Sequence, residues 1–199
     1  MTTVFLGGSR HISRLNDQFR QRLDNIIEKE FPVIVGDANG ADKAIQQYLD
    51  ERRYQFVEVF CSGADCRNNI GNWTKRSIAA ETRYRDARFY AEKDRAMAQE
   101  ATVGLMVWDG KSRGTLFNAF RLLQQGKMVL IFVAPEKRFL ELKGMSDWER
   151  VKLSLDVDLR LKIEEQIKSE SATHNNLMQQ TLFGVNQQDR ASIARKLHG

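Results

Sequence analysis

Residues 33–49 read Val33-Ile34-Val35-Gly36-Asp37-Ala38-Asn39-Gly40-Ala41-Asp42-Lys43-Ala44-Ile45-Gln46-Gln47-Tyr48-Leu49. Three β-branched residues stop at a glycine. Turn-forming residues follow, and then the apolar spacing of a helix begins. A buried strand that ends in small polar residues and feeds a helix is the repeating unit of a parallel α/β sheet.

The same unit recurs on both sides. Strands are expected at Thr3–Gly7, Phe56–Phe60, Val103–Trp108 and Met128–Val133, with helices over Ser13–Lys29, Ala41–Arg52, Asp86–Ala101 and Thr115–Gln125. The runs VGLMVW and MVLIFV are continuously apolar, which implies burial on both faces of a parallel sheet covered by helices. The expected fold is α/β: a Rossmann-like parallel sheet flanked by helices, with a C-terminal helical extension. The core is expected over 1–135, the helical extension over 136–170 with its helix at Asp147–Ser169, and a polar tail over 171–199. The stretch Ser62–Arg85 reads as a long polar loop, either a solvated lid or a functional segment.

Composition narrows the classes. The 199 residues are 42% hydrophobic and 29% charged, a soluble profile with a real core. No run of about 18 apolar residues offers a membrane span. The opening MTTVFL has no basic and long apolar leader pattern, so a cytoplasmic protein is expected. The net charge of +5 suits an anionic ligand or nucleic acid, but plain soluble proteins share it. Cys61 and Cys66 are expected to be reduced thiols at a strand end, with a redox pair or a metal half-site as the alternatives. No acidic metal-binding constellation stands out, and no cofactor is expected.

Three glycine-bearing turns fall at strand ends: GGSR (Gly7–Arg10), GDANGAD (Gly36–Asp42) and DGKSRGT (Asp109–Thr115). In open α/β sheets ligands bind beyond the carboxyl ends of the strands. Glycine admits a ligand close to the backbone, and the following helix N-termini offer N–H groups to a phosphate. None of the three matches GxGxxG or GxxxxGK[ST], which disfavours a dinucleotide dehydrogenase and a phosphate-loop NTPase. On the helix at 86–101, Tyr90, Asp94, Met97 and Ala101 share one stripe, so Asp94 is expected to face the protein. It is there either for a salt bridge or for a ligand.

GGSR, GDANGADKA, KDRAM and VWDGKSRGTLFNAFRLLQQGKMVLIF, in this order, resemble the SLOG superfamily of Rossmann-like proteins. That group includes the LOG phosphoribohydrolases and the DNA-processing protein of bacterial competence. The order and spacing are also similar to those of the nucleoside 2-deoxyribosyltransferases. The resemblance covers roughly Met1–Pro135. It implies a pocket for a nucleotide or nucleotide sugar lined by Gly8, Ser9 and Arg10, by Gly36, Gly40 and Asp42, and by Ser112, Gly114 and Thr115; Arg113, between them, can add charge. Tyr90, Asp94, Asp109 and Asn118 join the candidate ligand-binding set. Asp42 would hold a ribose hydroxyl or cap its helix. A homodimer is a further expectation, because the family often dimerises.

The departures from the family carry information. LOG enzymes and deoxyribosyltransferases place a catalytic glutamate shortly after their GT, where this chain has Asn118. An amide is neither a nucleophile nor a general base of that kind. The LOG arginine on the preceding helix also lacks a clean match, with Lys93 near its place. The leading expectation is therefore a ligand-binding sensor or accessory protein. The alternatives are a nucleotide N-glycosidase using Asp94, and a DNA-binding protein whose segment Arg67–Arg88 contacts phosphates while Trp73, Tyr84 and Phe89 stack on bases. The tail segment QQTLF (Gln179–Phe183) resembles the peptide by which bacterial proteins dock on the replication sliding clamp; an anchor on the protein's own surface is the alternative.

Overall fold

The stretch at 33–49 folds as its pattern requires. In the computed structural model, which describes residues 2–79 and 87–183, β2 (Val33–Gly36) is buried throughout and α2 (Ala41–Glu51) follows it. Before it come β1 (Val4–Gly8) and α1 (Asp17–Glu28), whose Asn16 side chain caps the helix by accepting the Gln18 N–H at 2.8 Å. After it come β3 (Val57–Ser62), β4 (Thr74–Ile78), α3 (Ala87–Glu100), β5 (Val103–Trp108), α4 (Arg113–Gln124) and β6 (Met128–Val133). A 3-10 turn at Ala134–Glu136 leads into β7 (Arg138–Leu142) and α5 (Met145–Ser154). Residues 1–156 form one compact unit; 157–199 form another, whose described part is α6 (Val157–Phe183).

The seven strands lie in the order β4-β3-β2-β1-β5-β6-β7. All neighbours are parallel except β6 and β7. The chain therefore builds outward from β1 to β4, returns through α3, and pairs β5 on the other side of β1. The gap above β1 and β5 is the topological switch point, where this architecture places ligands. Phe19 and Leu23 of α1 and Ile45 and Leu49 of α2 are fully buried in one cluster with Leu6, Val35, Val59 and Val107 of the sheet. Each such side chain contributes roughly 1.5–3 kcal/mol by leaving water. The alternate strand residues Phe5, Ile34, Phe60 and Met106 are buried on the opposite face, which α3 and α4 cover.

Four expectations need correction. The stretch 62–85 is not one loop, because Thr74–Ile78 pairs in parallel with β3. Its sequence, TKRSI, is polar because it is an edge strand with much of its surface in water. The segment after Pro135 does not begin as a helix. Lys137 takes a left-handed turn (φ 49°) and the chain comes back along β6 as β7. The helix expected at Asp147–Ser169 is broken by extended backbone at Leu155, and a new helix runs on to Phe183. Finally, Cys61 and Cys66 are not separate thiols. The turn after β3 brings their Cα atoms to 5.0 Å and they form a disulfide. Among the described residues no helix is long and apolar enough to cross a membrane.

Candidate functional site

The carboxyl ends of β1, β2 and β5 bring the three glycine turns together. Ser9, 1% exposed just beyond β1, donates its hydroxyl to Asp109 Oδ2 at 2.7 Å. That bond spans the switch point. Asp109 Oδ1 accepts the backbone N–H groups of Lys111 (3.0 Å) and Ser112 (2.6 Å), and His11 Nδ1 lies 3.4 Å from Oδ2. Burial opposes the charge on Asp109, but the Ser112, Ser9 and Lys111 donors prevail and hold its pKa down to about 2. The Ser9 carbonyl accepts from Ala41 N at 3.0 Å, so the first turn also anchors the start of α2.

The glycines have different physical reasons. A Cβ on Gly8 would collide with the Val107 carbonyl and lie 2.6 Å from Val107 Cγ1, so Gly8 lets β1 and β5 close up. Gly40 has φ +83°, and a Cβ there would meet the Arg10 backbone. A Cβ on Gly36 would collide with the Asp42 carboxylate and come within 2.7 Å of Lys93 Nζ. The protein's own groups thus fill the space beside these three glycines. Gly114 is the exception: nothing lies within 4 Å of a Cβ placed there. It sits in the first turn of α4, next to exposed Arg113. Ser112 is the N-cap of α4, yet its side chain caps no N–H; it pairs with the hydroxyl of buried Thr115 at 2.9 Å. The first turn of α4 therefore presents backbone N–H groups without a side-chain cap, at the switch point and in the open.

Behind the β2 end lies a buried charge cluster. Lys93 of α3 is 3% exposed, with Nζ 3.3 Å from Asp37 Oδ1 and 3.7 Å from Asp94 Oδ1. Arg67 makes a two-pronged contact with Asp37 (Nη2–Oδ1 2.7 Å, Nε–Oδ2 3.1 Å) and adds its backbone N–H at 3.0 Å. Its guanidinium also stacks 4.5 Å from the centre of the half-exposed Tyr90 ring. Asp42 is 8% exposed and accepts the Ala38 N–H at 3.2 Å. Burial raises Asp42 to about 6, with Lys93 opposing the shift and Asp94 and Asp37 reinforcing it. Asp37 goes the other way: burial alone would raise it, but Arg67 and Lys93 bring it below its ordinary value. Lys93 keeps its proton above the usual range, because the three carboxylates outweigh its desolvation.

Asp94 is thus not the carboxylate facing the interior. It is 27% exposed at the rim, and its neighbour Lys93 takes the buried position. One residue is about 100° of rotation on a helix, enough to exchange rim for core. Asp94 accepts from Asn118 Nδ2 at 3.3 Å and lies 3.9 Å from Arg121 Nη1, while Arg121 donates to Asn118 Oδ1 at 2.8 Å. Asn118 and Asp94 are therefore brought together, on the α3–α4 side. Arg10 is exposed and Tyr90 borders the cluster through Arg67.

Sequence reasoning missed Asp37, Gln46 and the positioning role of Arg67. Gln46, fully buried, donates to the carbonyls of Gly36 (2.8 Å) and Asn68 (3.3 Å) and accepts from Ile70 N–H (3.0 Å), tying the loop after β3 to the end of β2. A glutamine on the buried side of a helix was the available signal. Among the described residues no group of three or more His, Cys, Asp or Glu is placed to hold a metal ion. The side chains of Gln179–Phe183, and Tyr84 within the Arg67–Arg88 segment, lie outside the described residues.

No family model and no curated protein matches the chain. Among solved structures it is similar to DNA processing protein A from Helicobacter pylori, a protein studied for its single-stranded DNA binding mode. The match has a TM-score of 0.52 at 14% identity and covers 84% of this chain and 81% of that one; the two share an α/β Rossmann-like fold.

Proposed function

We propose that this chain is a SLOG-type domain that binds a nucleotide or nucleotide-sugar-like ligand at the carboxyl ends of β1, β2 and β5, as a sensor or accessory protein. One observation carries the proposal. The first turn of α4 is uncapped and open at Gly114 beside exposed Arg113, at the switch point. A phosphate there gains backbone donors, a helix dipole and a guanidinium together. Asp109, ionised, accepts from Ser9, Lys111 and Ser112 and so fixes the turn that presents this helix N-terminus. The pairing of Asp94 with Lys93, Asn118 and Arg121 supports binding over glycosidic cleavage, since this carboxylate is committed to its neighbours.

Single-stranded DNA is the second reading. It is supported by the fold shared with DNA processing protein A and by the exposed Arg10, Arg14, Lys111 and Arg113 near the same edge. One titration set separates the two. AMP and ADP-ribose raise the melting temperature under the first reading. Under the second, oligodeoxynucleotides bind with strong salt dependence and mononucleotides do not. If neither class of ligand shifts melting or binds, the site is not a nucleotide site.

A further inference from the structure

We infer that the Cys61–Cys66 disulfide is a reducible latch on the Asp37–Arg67 clamp, so that a dithiol reductant resets the charge arrangement at the end of β2. The inference stands on the loop's geometry and is independent of which ligand the site takes. Cys61 is the penultimate residue of β3 and is fully buried. Cys66 is partly exposed and immediately precedes Arg67. The bond therefore fixes the start of the segment that delivers Arg67 onto Asp37. Between the cysteines, Ala64 and Asp65 are exposed, so a reductant can reach the bridge from the loop side.

The chemistry balances with a dithiol as reductant. One of its thiolates attacks Cys66 Sγ, the reachable sulfur, and the Cys61–Cys66 bond breaks with the electron pair leaving on Cys61. Cys61 takes a proton; its sulfur lies 3.6 Å from the Val59 carbonyl, an acceptor for the new thiol. The second thiolate of the reductant then displaces Cys66 from the mixed disulfide. The reductant ends as a disulfide, and both protein cysteines end as thiols.

The consequence follows from who holds Asp37. This carboxylate is 1% exposed and takes three of its contacts from Arg67 and one from Lys93. With the bridge open the segment is held by the Gln46 contacts to Asn68 and Ile70, Arg67 loosens on Asp37, and Lys93 is the buried cation that stays on Asp37 among these contacts. Lys93 is then drawn from Asp94, 3.7 Å away, and from Asp42. Tyr90 loses the guanidinium stacked on it. Redox state thus sets the electrostatics beside the candidate ligand site without touching the switch point itself.

Amide hydrogen exchange on the full chain, oxidised and then treated with dithiothreitol, tests this, with thiols counted by alkylation and mass spectrometry. The expected result is no alkylation before reduction and two alkylated cysteines after it. The amides of Arg67 and Ile70 then exchange about tenfold faster or more, while β1 and β5 are unchanged, and re-oxidation restores protection. Cys66→Ser is expected to show the fast pattern without reductant. Should that variant fail to fold, Arg67→Ala carries the test: it raises exchange over the same segment, and reduction adds little more. Unchanged exchange at Arg67 and Ile70 on full reduction overturns the latch, as does free alkylation of both cysteines in air-oxidised protein.

Discussion

Asp42→Asn isolates the charge cluster in one atom. Asp42 has its pKa raised from 3.8 to about 6 by burial among Lys93, Asp94 and Asp37. The folded state thus holds a proton that the unfolded chain releases. The stability from that proton is complete below the unfolded value and is lost as pH rises through the folded one. The span corresponds to about 3 kcal/mol. Asparagine keeps an oxygen for the Ala38 N–H and cannot ionise. The variant is therefore expected to match the wild type near pH 4 and to exceed it by up to about 3 kcal/mol at pH 8. In melting temperature that is roughly 6–12 °C for a chain of this size. Urea unfolding followed by fluorescence of Trp73, Trp108 and Trp148 at unit steps from pH 4 to 8 reads it directly. Asp37 titrates in both proteins, so the difference curve belongs to Asp42. A pH-independent difference, or a variant less stable at pH 8, would refute the placement of Asp42 in a net-acidic buried cluster.

Three further outcomes follow from the same geometry. Lys93→Met removes the cation from the buried carboxylates and is expected to cost about 3–5 kcal/mol at neutral pH, by the same urea assay. Ser9→Ala deletes the 2.7 Å bond to Asp109 and is expected to cost about 1.5–3 kcal/mol. Because Asp109 is held at about 2, its contribution of about 2 kcal/mol is present above pH 4 and lost as pH falls; in Ser9→Ala that acid loss begins at higher pH. Gly8→Ala places a methyl against the Val107 backbone, and calorimetry is expected to show a loss of about 1–3 kcal/mol from the β1–β5 pairing.

The sequence made the sheet legible where strands are buried on both faces. VIVG, VGLMVW and MVLIFV admit no competing period, and each ends in a turn. It hid β4 and β7, because TKRSI and RFLEL are edge strands whose residues divide between sheet and solvent. The three turns were legible as one locus, since parallel strands bring their carboxyl ends to one side. Which residues face outward there was not legible. Gly36 and Gly114 are equivalent in one dimension, yet one abuts Asp42 and Lys93 and the other opens to solvent. Lys93 and Asp94 differ by one step on a helix, and only packing decides which is buried. The disulfide depends on a turn closing to 5.0 Å, and cysteine spacing alone does not specify that closure.

Gly114→Leu probes a ligand at the open first turn of α4. The space beside Gly114 accepts a side chain without collision, so the fold and its melting temperature should survive. A leucine there covers the uncapped N–H groups. Calorimetric titration of wild type and variant with AMP and ADP-ribose, at equal pH and salt, is the measurement. The wild type is expected to bind, the variant to lose affinity tenfold or more (about 1.4 kcal/mol), and the unfolding transition to stay unchanged. Equal affinity in both proteins would place the ligand away from the first turn of α4.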